Sequence, residues 1–159
     1  MISHPIPPVF DRHSKILILG SFPSVKSREA QFFYGHPQNR FWKVTSAVFD
    51  VQEPHTIEEK KDFLLSHGIA VWDVIASCDI TGSSDSSIKN VVPNDLSQIL
   101  KVADIRTIFV NGKTAEKFYN KYVKDVIGRE AVCLPSTSPA NAAWSLERLT
   151  EAWEQLINL

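Results

Sequence analysis

The residues of this chain that could do chemistry gather in a few stretches: Gly20-Ser-Phe-Pro-Ser24, Phe32-Phe-Tyr-Gly-His-Pro-Gln-Asn-Arg-Phe-Trp42, Asp73 to Asp85, Asn111-Gly-Lys113 and Pro135-Ser-Thr-Ser-Pro-Ala-Asn141. They carry carboxylates, amides, hydroxyls and aromatic rings, which suit a planar ligand held by stacking and hydrogen bonds. Metal or thiolate chemistry is not indicated. The two cysteines, Cys78 and Cys133, stand far apart, which excludes a four-thiolate iron–sulfur cluster and a zinc ribbon and reads as two inert thiols. The five histidines, His4, His13, His36, His55 and His67, are scattered through different elements. The expectation is a protein that works without a metal or other cofactor.

The elements that must position these stretches show in the hydrophobic pattern. Four β-rich runs, Lys15–Leu19, Ile69–Ile75, Thr107–Val110 and Ala131–Leu134, alternate with helical patterns, which predicts an α/β fold around a central four-stranded, mainly parallel sheet. Helices are expected over Arg40–Phe49, from Thr56 to Gly68, over Asp95–Leu100, over Thr114–Tyr122 and from about Ser145 onward. Thr56 and Glu59 have capping-box spacing, and Gly68 stands where a left-handed residue ends a helix. In the last helix Leu146, Leu149, Trp153, Leu156 and Ile157 make one apolar face, and Trp144 and Trp153 read as core. In an open α/β sheet, ligand groups lie just past the strand carboxyl ends. The stretches at Gly20–Ser24, Asp73–Asp85, Asn111–Lys113 and Pro135–Asn141 fall there and should converge on one pocket, an inference that stops short of a reaction.

A chain of 159 residues suits one domain over 1–159. Hydrophobic residues at 43% and charged residues at 22% are the balance of an ordinary globular protein. No apolar run approaches a membrane span, and Met1–Phe10 lacks the order of a signal peptide, so a cytoplasmic location is the default expectation. The formal charge of −1 argues against binding nucleic acid through overall charge but allows a local basic face. Lys26, Arg28, Arg40, Lys43 and Lys113 lie in or beside the singled-out stretches.

Gly20-Ser-Phe-Pro-Ser24, with the Phe32–Trp42 stretch after it, resembles the first motif region of the uracil-DNA glycosylase superfamily. His36-Pro-Gln-Asn-Arg-Phe-Trp42 is similar to the mismatch-specific and hypoxanthine-DNA glycosylase branches, most of all the latter. Pro135–Asn141 is similar to the motif that grips DNA and the flipped base, and the last helix fits the same fold. The resemblance covers nearly the whole chain. It implies a three-layer α/β/α fold and a monofunctional glycosylase in base-excision repair. Such an enzyme flips a deaminated base, hypoxanthine first, hydrolyses its glycosidic bond and leaves an abasic site. The implied partner is damaged DNA, with no membrane, a monomeric state and downstream abasic-site repair enzymes.

One departure sets the branch. Most members place Asp or Asn two residues after the motif glycine to orient the attacking water, whereas this chain has Phe22. The hypoxanthine branch shares that loss and points to the asparagine of the His-Pro-x-Asn segment, here Asn39. Asn39 would hold the water through its side-chain carbonyl; it is equally placed to cap the following helix, and the roles are compatible. The resemblance makes Tyr34 the stacking platform for the base, with Phe32 and Phe33 as alternatives, though Phe33 suits the core better. His36 and Pro37 shape a turn, and Phe41 and Trp42 belong to the core. Asp73 falls at a base-reading position, where a carboxylate accepts from the ring N–H of hypoxanthine and opposes the bare nitrogen of adenine; it could instead cap a turn.

Ser21, Phe22 and Ser136 complete the base-binding set by the same resemblance. Ser24, Lys26, Ser138, Ala140 and Asn141 form the DNA-binding set, with Ala140 where relatives insert a larger wedge. Thr81–Ser87 is polar and loop-like, with Asp85 a candidate at the pocket border, and Asn111-Gly112 reads as a tight turn. Two alternatives stay open: a mismatch-specific uracil or thymine glycosylase, and a DNA- or nucleotide-binding domain in which Phe22 marks a lost active site.

Overall fold

The computed structural model describes residues 1–158. In chain order the elements are β1 (Ile2–Ser3), β2 (Ile16–Gly20), α1 (Val25–Ala30), α2 (Phe41–Val48), α3 (Ile57–Ser66), β3 (Ile69–Asp73) and β4 (Ile75–Asp79). They continue with β5 (Lys89–Pro93), α4 (Ser97–Leu100), β6 (Thr107–Asn111), α5 (Lys113–Tyr122), α6 (Lys124–Ile127), β7 (Val132–Leu134) and α7 (Leu146–Trp153). The parallel sheet has four strands in the order β3-β2-β6-β7, flanked by helices. Both β2 and β3 are buried along their whole length, which is why they read as unbroken apolar runs rather than alternating ones. The register sets Gly20 beside Asp73 and Asn111 beside Leu134, so all four end at one sheet edge.

Local signals held where they depend on neighbours in sequence. Thr56 and Glu59 form both halves of a capping box on α3, and Gly68 takes φ +69 just beyond its end. Elsewhere the packing corrected the pattern. The apolar run Ile69–Ile75 is not one strand: it breaks at Val74, and β4 leaves to pair antiparallel with β1 and β5 in a second, three-stranded sheet. Val74 N–H bonds Gly20 O (2.8 Å) and Ile75 N–H bonds Ser21 O (3.1 Å), so the chain turns while still tied to the end of β2. Val74 and Ile75 are both fully buried, so hydrophobicity carries no mark of the change of sheet.

The last helix also departs from its expected face. Leu149, Trp153 and Leu156 are buried, but Leu146 is 42% and Ile157 49% exposed. A 3-10 turn over Glu154–Leu156 shifts the angular phase after α7. Trp144 is not core: it is half-buried, with the Arg148 guanidinium 4.1 Å over its ring.

Candidate active site

The carboxyl edge of the parallel sheet opens into a cleft of about 940 Å³, within the usual range for small-molecule sites. The loops after β2, β4, β6 and β7 supply its walls, with Asp73 at the end of β3 and residues of the Phe33–Asn39 segment completing them.

On the β2–β3 wall, Asp73 ends its strand with its side chain 5% exposed, and His4 Nε2 lies 2.7 Å from its Oδ2. Gly20 has to be glycine here: a Cβ would sit 2.4 Å from Asp73 Oδ1 and 3.2 Å from the Tyr34 hydroxyl. Tyr34 adopts φ +52, and its half-buried ring stacks on Phe41 with centroids 4.0 Å apart and planes 14° off parallel. Tyr34 also lines the cleft. The Tyr34 hydroxyl is buried with no hydrogen-bond partner. Burial first, and then the charge of Asp73, push its ionisation far above the usual tyrosine range, so it remains an O–H donor. The nearby Asn111 amide acts in the opposite direction and is outweighed by both. Its nitrogen donates to Thr137 Oγ1 (3.0 Å) and its oxygen accepts from Thr137 N–H (3.1 Å). Ser21 and Phe22 also line this wall, Phe22 edge-on to His4 at 5.8 Å.

Asn39 stands where the two walls meet. Its Oδ1 accepts the Phe41 N–H at 2.9 Å, so it ties down the first N–H of α2 from one residue ahead of the N-cap position, Arg40, and the second lone pair of that oxygen remains for a ligand or water. His36 shapes the preceding turn: its carbonyl accepts Asn39 N–H (2.9 Å) and its Nδ1 accepts Gln38 N–H (3.1 Å). Arg40 crosses to the far wall. Its N–H bonds Thr137 O (3.0 Å), and its guanidinium donates to the carbonyls of Asn141 (3.0 Å) and Trp144.

The β6–β7 wall is a loop that bonds itself. Ser136 Oγ accepts Ser138 N–H (3.0 Å), Ser138 Oγ accepts Ala140 N–H (3.2 Å) and the Asn141 amide donates to Ser136 O (2.9 Å). Trp153 Nε1 anchors Pro135 O from beneath (2.9 Å). Gly112 takes φ +94, and a Cβ on it would lie 2.9 Å from Ser136 Cβ, so both backbone and space require glycine. Asn111-Gly112 is therefore more than a tight turn: Asn111 clamps the loop through fully buried Thr137.

Several expected residues sit elsewhere or are otherwise engaged. Phe32 is buried against Trp42, stacked at 6.1 Å, and offers no face to the cleft. Phe33 lines the cleft but is 2% exposed. Ser24 caps α1, accepting Ser27 N–H and donating its own proton to Ser27 Oγ (3.1 Å), so its hydroxyl is committed within the protein. Lys26 is absent from the cleft wall, exposed on α1 with Glu29 at 3.7 Å. Arg28 donates to Gly82 O (2.7 Å). Ala140 is exposed at the rim, Lys113 is exposed on the wall, and Ser83 and Asp85 border the opening.

His4, Thr137 and Trp144 carry no individual sequence signal for the site, yet Thr137 and Trp144 line the cleft and His4 is bonded to Asp73. His4 belongs to no motif, and its partner lies 69 positions away. Among the described residues, no group of three or more His, Cys, Asp or Glu is arranged to hold a metal. The groups present can recognise a flat heterocycle, stack it and hold a water.

The Uracil DNA glycosylase superfamily model matches residues 7–157. The chain is 37% identical over 156 residues to the hypoxanthine DNA glycosylase of Methanosarcina acetivorans, covering 97% of each protein. It is 30% identical over 152 residues to the hypoxanthine DNA glycosylase of Methanosarcina barkeri, covering 94% of each. The solution NMR structure described as a "putative Uracil DNA glycosylase" from Methanosarcina acetivorans superposes with a TM-score of 0.82 at 33% identity over 99% of both chains. With the parallel sheet, the cleft at its carboxyl edge and this match along almost its full length, the chain belongs to the uracil DNA glycosylase superfamily.

Proposed function

We propose that the chain acts as one domain, a DNA-deoxyinosine glycosylase that extrudes hypoxanthine from DNA and hydrolyses its N-glycosidic bond. The observation that carries the reading is the carboxylate at the cleft floor: Asp73 is buried beside Gly20 with one oxygen engaged and the other at the glycine. An acceptor fixed there pairs with the ring N–H of hypoxanthine and meets the bare ring nitrogen of adenine with an unpaired lone pair. Tyr34, which lines the cleft and is backed by Phe41, takes the stacking lost by the extruded base. The transition state is an oxocarbenium-like sugar, so a weakly activated water suffices once the base departs. Asn39 holds that water with the lone pair its bond to Phe41 N–H leaves over; an amide contributes position and a dipole, not proton abstraction.

Ser136 and Ser138 use their oxygens as acceptors within the loop and keep an O–H to donate to the base or a phosphate. Lys113 adds a positive charge at the wall. The enzyme acts as a cytoplasmic monomer on DNA and passes an abasic site to downstream repair enzymes.

The test is a set of labelled duplexes carrying hypoxanthine, uracil, xanthine or mismatched thymine, followed in single turnover. Hypoxanthine should give abasic product fastest. Equal or faster release of uracil would replace the proposed substrate, and no abasic product from any duplex would leave only a binding domain.

A further inference from the structure

His4 does not line the cleft, yet it is bonded to Asp73, which does. His4 is 4% exposed at its side chain, and its ring is boxed by Phe22, Phe33 and Trp72, with centroids at 5.8, 6.1 and 6.4 Å. Its backbone N–H bonds Ala76 O at 2.7 Å, which fixes the residue beside the start of β4. The Ile6 backbone N–H is donated to His4 Nδ1 at 3.2 Å. A nitrogen that accepts a hydrogen bond carries no proton, so the ring is the neutral tautomer with its hydrogen on Nε2. That N–H is donated to Asp73 Oδ2 at 2.7 Å.

The consequence is directional. Asp73 Oδ2 is occupied by a rigid donor, so the carboxylate cannot turn without losing a buried bond. Oδ1 is then held against Gly20, where the missing Cβ gives it room. We propose that His4 is a positioning residue that fixes Asp73 as a one-sided acceptor, so that the site reads the ring N–H of the excised base. The proposal rests on Asp73 reading the base, as argued above. The competing possibility is a strut that only fastens the amino-terminal segment.

Asp73→Asn separates the two. With the Nε2–H of His4 in place, the amide oxygen must face His4, and its NH2 is forced toward the cleft. A donor then stands where an acceptor stood. Single-turnover excision is compared on duplexes carrying hypoxanthine or unsubstituted purine, whose ring nitrogen is bare. Asp73→Asn should lower the hypoxanthine-to-purine rate ratio by about 100-fold, because a mismatch is added where a pair is lost. In Asp73→Asn with His4→Leu the amide is free to turn, and about tenfold of that ratio should return. His4→Leu alone should lower the ratio by about tenfold, while His4→Gln, whose amide nitrogen reaches the place of Nε2, should stay near wild type.

Equal slowing of both substrates by His4→Leu, or a double variant with the same ratio as Asp73→Asn, would assign His4 to the strut and overturn the proposal. An unchanged ratio in Asp73→Asn would instead remove Asp73 from base reading. Should His4→Leu not fold, proton–nitrogen correlation spectra of wild-type His4 decide: a protonated Nδ1 overturns the proposal, and a bare Nδ1 with a protonated Nε2 supports it.

Discussion

On the β2–β3 wall, Asp73 has one carboxylate oxygen tied to His4 and the other lying against Gly20, and the buried Tyr34 hydroxyl makes no hydrogen bond. On the β6–β7 wall, Asn111, Ser136, Ser138 and Asn141 all bond within the wall itself, and Arg40 adds a clamp from α2. The first wall keeps polar atoms unspent in a buried place, which is costly for stability and useful for recognition. The second uses its polar atoms to hold one backbone shape. Substitutions on the first should therefore change rate and selectivity, and substitutions on the second should change stability and loop position first.

The largest effect is expected where the walls meet. Asn39→Ala should slow single-turnover excision of hypoxanthine by about 100-fold or more, since a positioned dipole at the reacting water is lost. It should also cost about 1 kcal/mol of stability through the lost bond to Phe41 N–H, read by denaturant titration. Excision within about threefold of wild type would remove Asn39 from the mechanism and place the water on one wall alone.

Gly20→Ala and Asn111→Ala set the walls against each other. The new methyl at Gly20 would displace an Asp73 oxygen 2.4 Å away, and excision should fall by about tenfold with DNA affinity little changed. Asn111→Ala removes two bonds to buried Thr137 and should cost about 1–3 kcal/mol of stability, with the rate falling by less than in Gly20→Ala. The reverse ranking would show that the self-bonded loop, not the open wall, controls the chemistry.

The smallest effect concerns the surface. Arg28 and Arg40 are bonded to protein carbonyls and Lys26 lies beside Glu29 off the cleft wall, whereas Lys113 is exposed on the wall and Lys43 is exposed on α2. The slope of log affinity against log salt should then correspond to about three neutralised phosphates, and Lys113→Ala should reduce it by about one. A slope for twice as many contacts would put a basic track somewhere other than these walls.

What the sequence determined by itself is what neighbours in the chain determine. The unbroken runs at Ile16–Leu19 and Thr107–Val110 are β-branched and leucine-rich, the capping residues of α3 act on backbone within one turn, and glycine at 68 follows from a left-handed turn. Those runs also put the small and polar stretches past the strand ends, so the place of the cleft was legible with Asp73 and Ser136 on its lining, whereas Tyr34 and Asn39 follow only from the family resemblance. Tertiary structure alone decided which polar atoms are used up. Arg40 reads as part of a local basic face until its partners 101 and 104 positions away are seen, and Ile69–Ile75 reads as one strand until two sheets claim it. His4 reads as nothing until the chain returns it to Asp73. The physical reason is range: sterics and capping bonds act over a few residues and leave a pattern, whereas a side-chain pair across the fold depends on where two distant backbones come to lie.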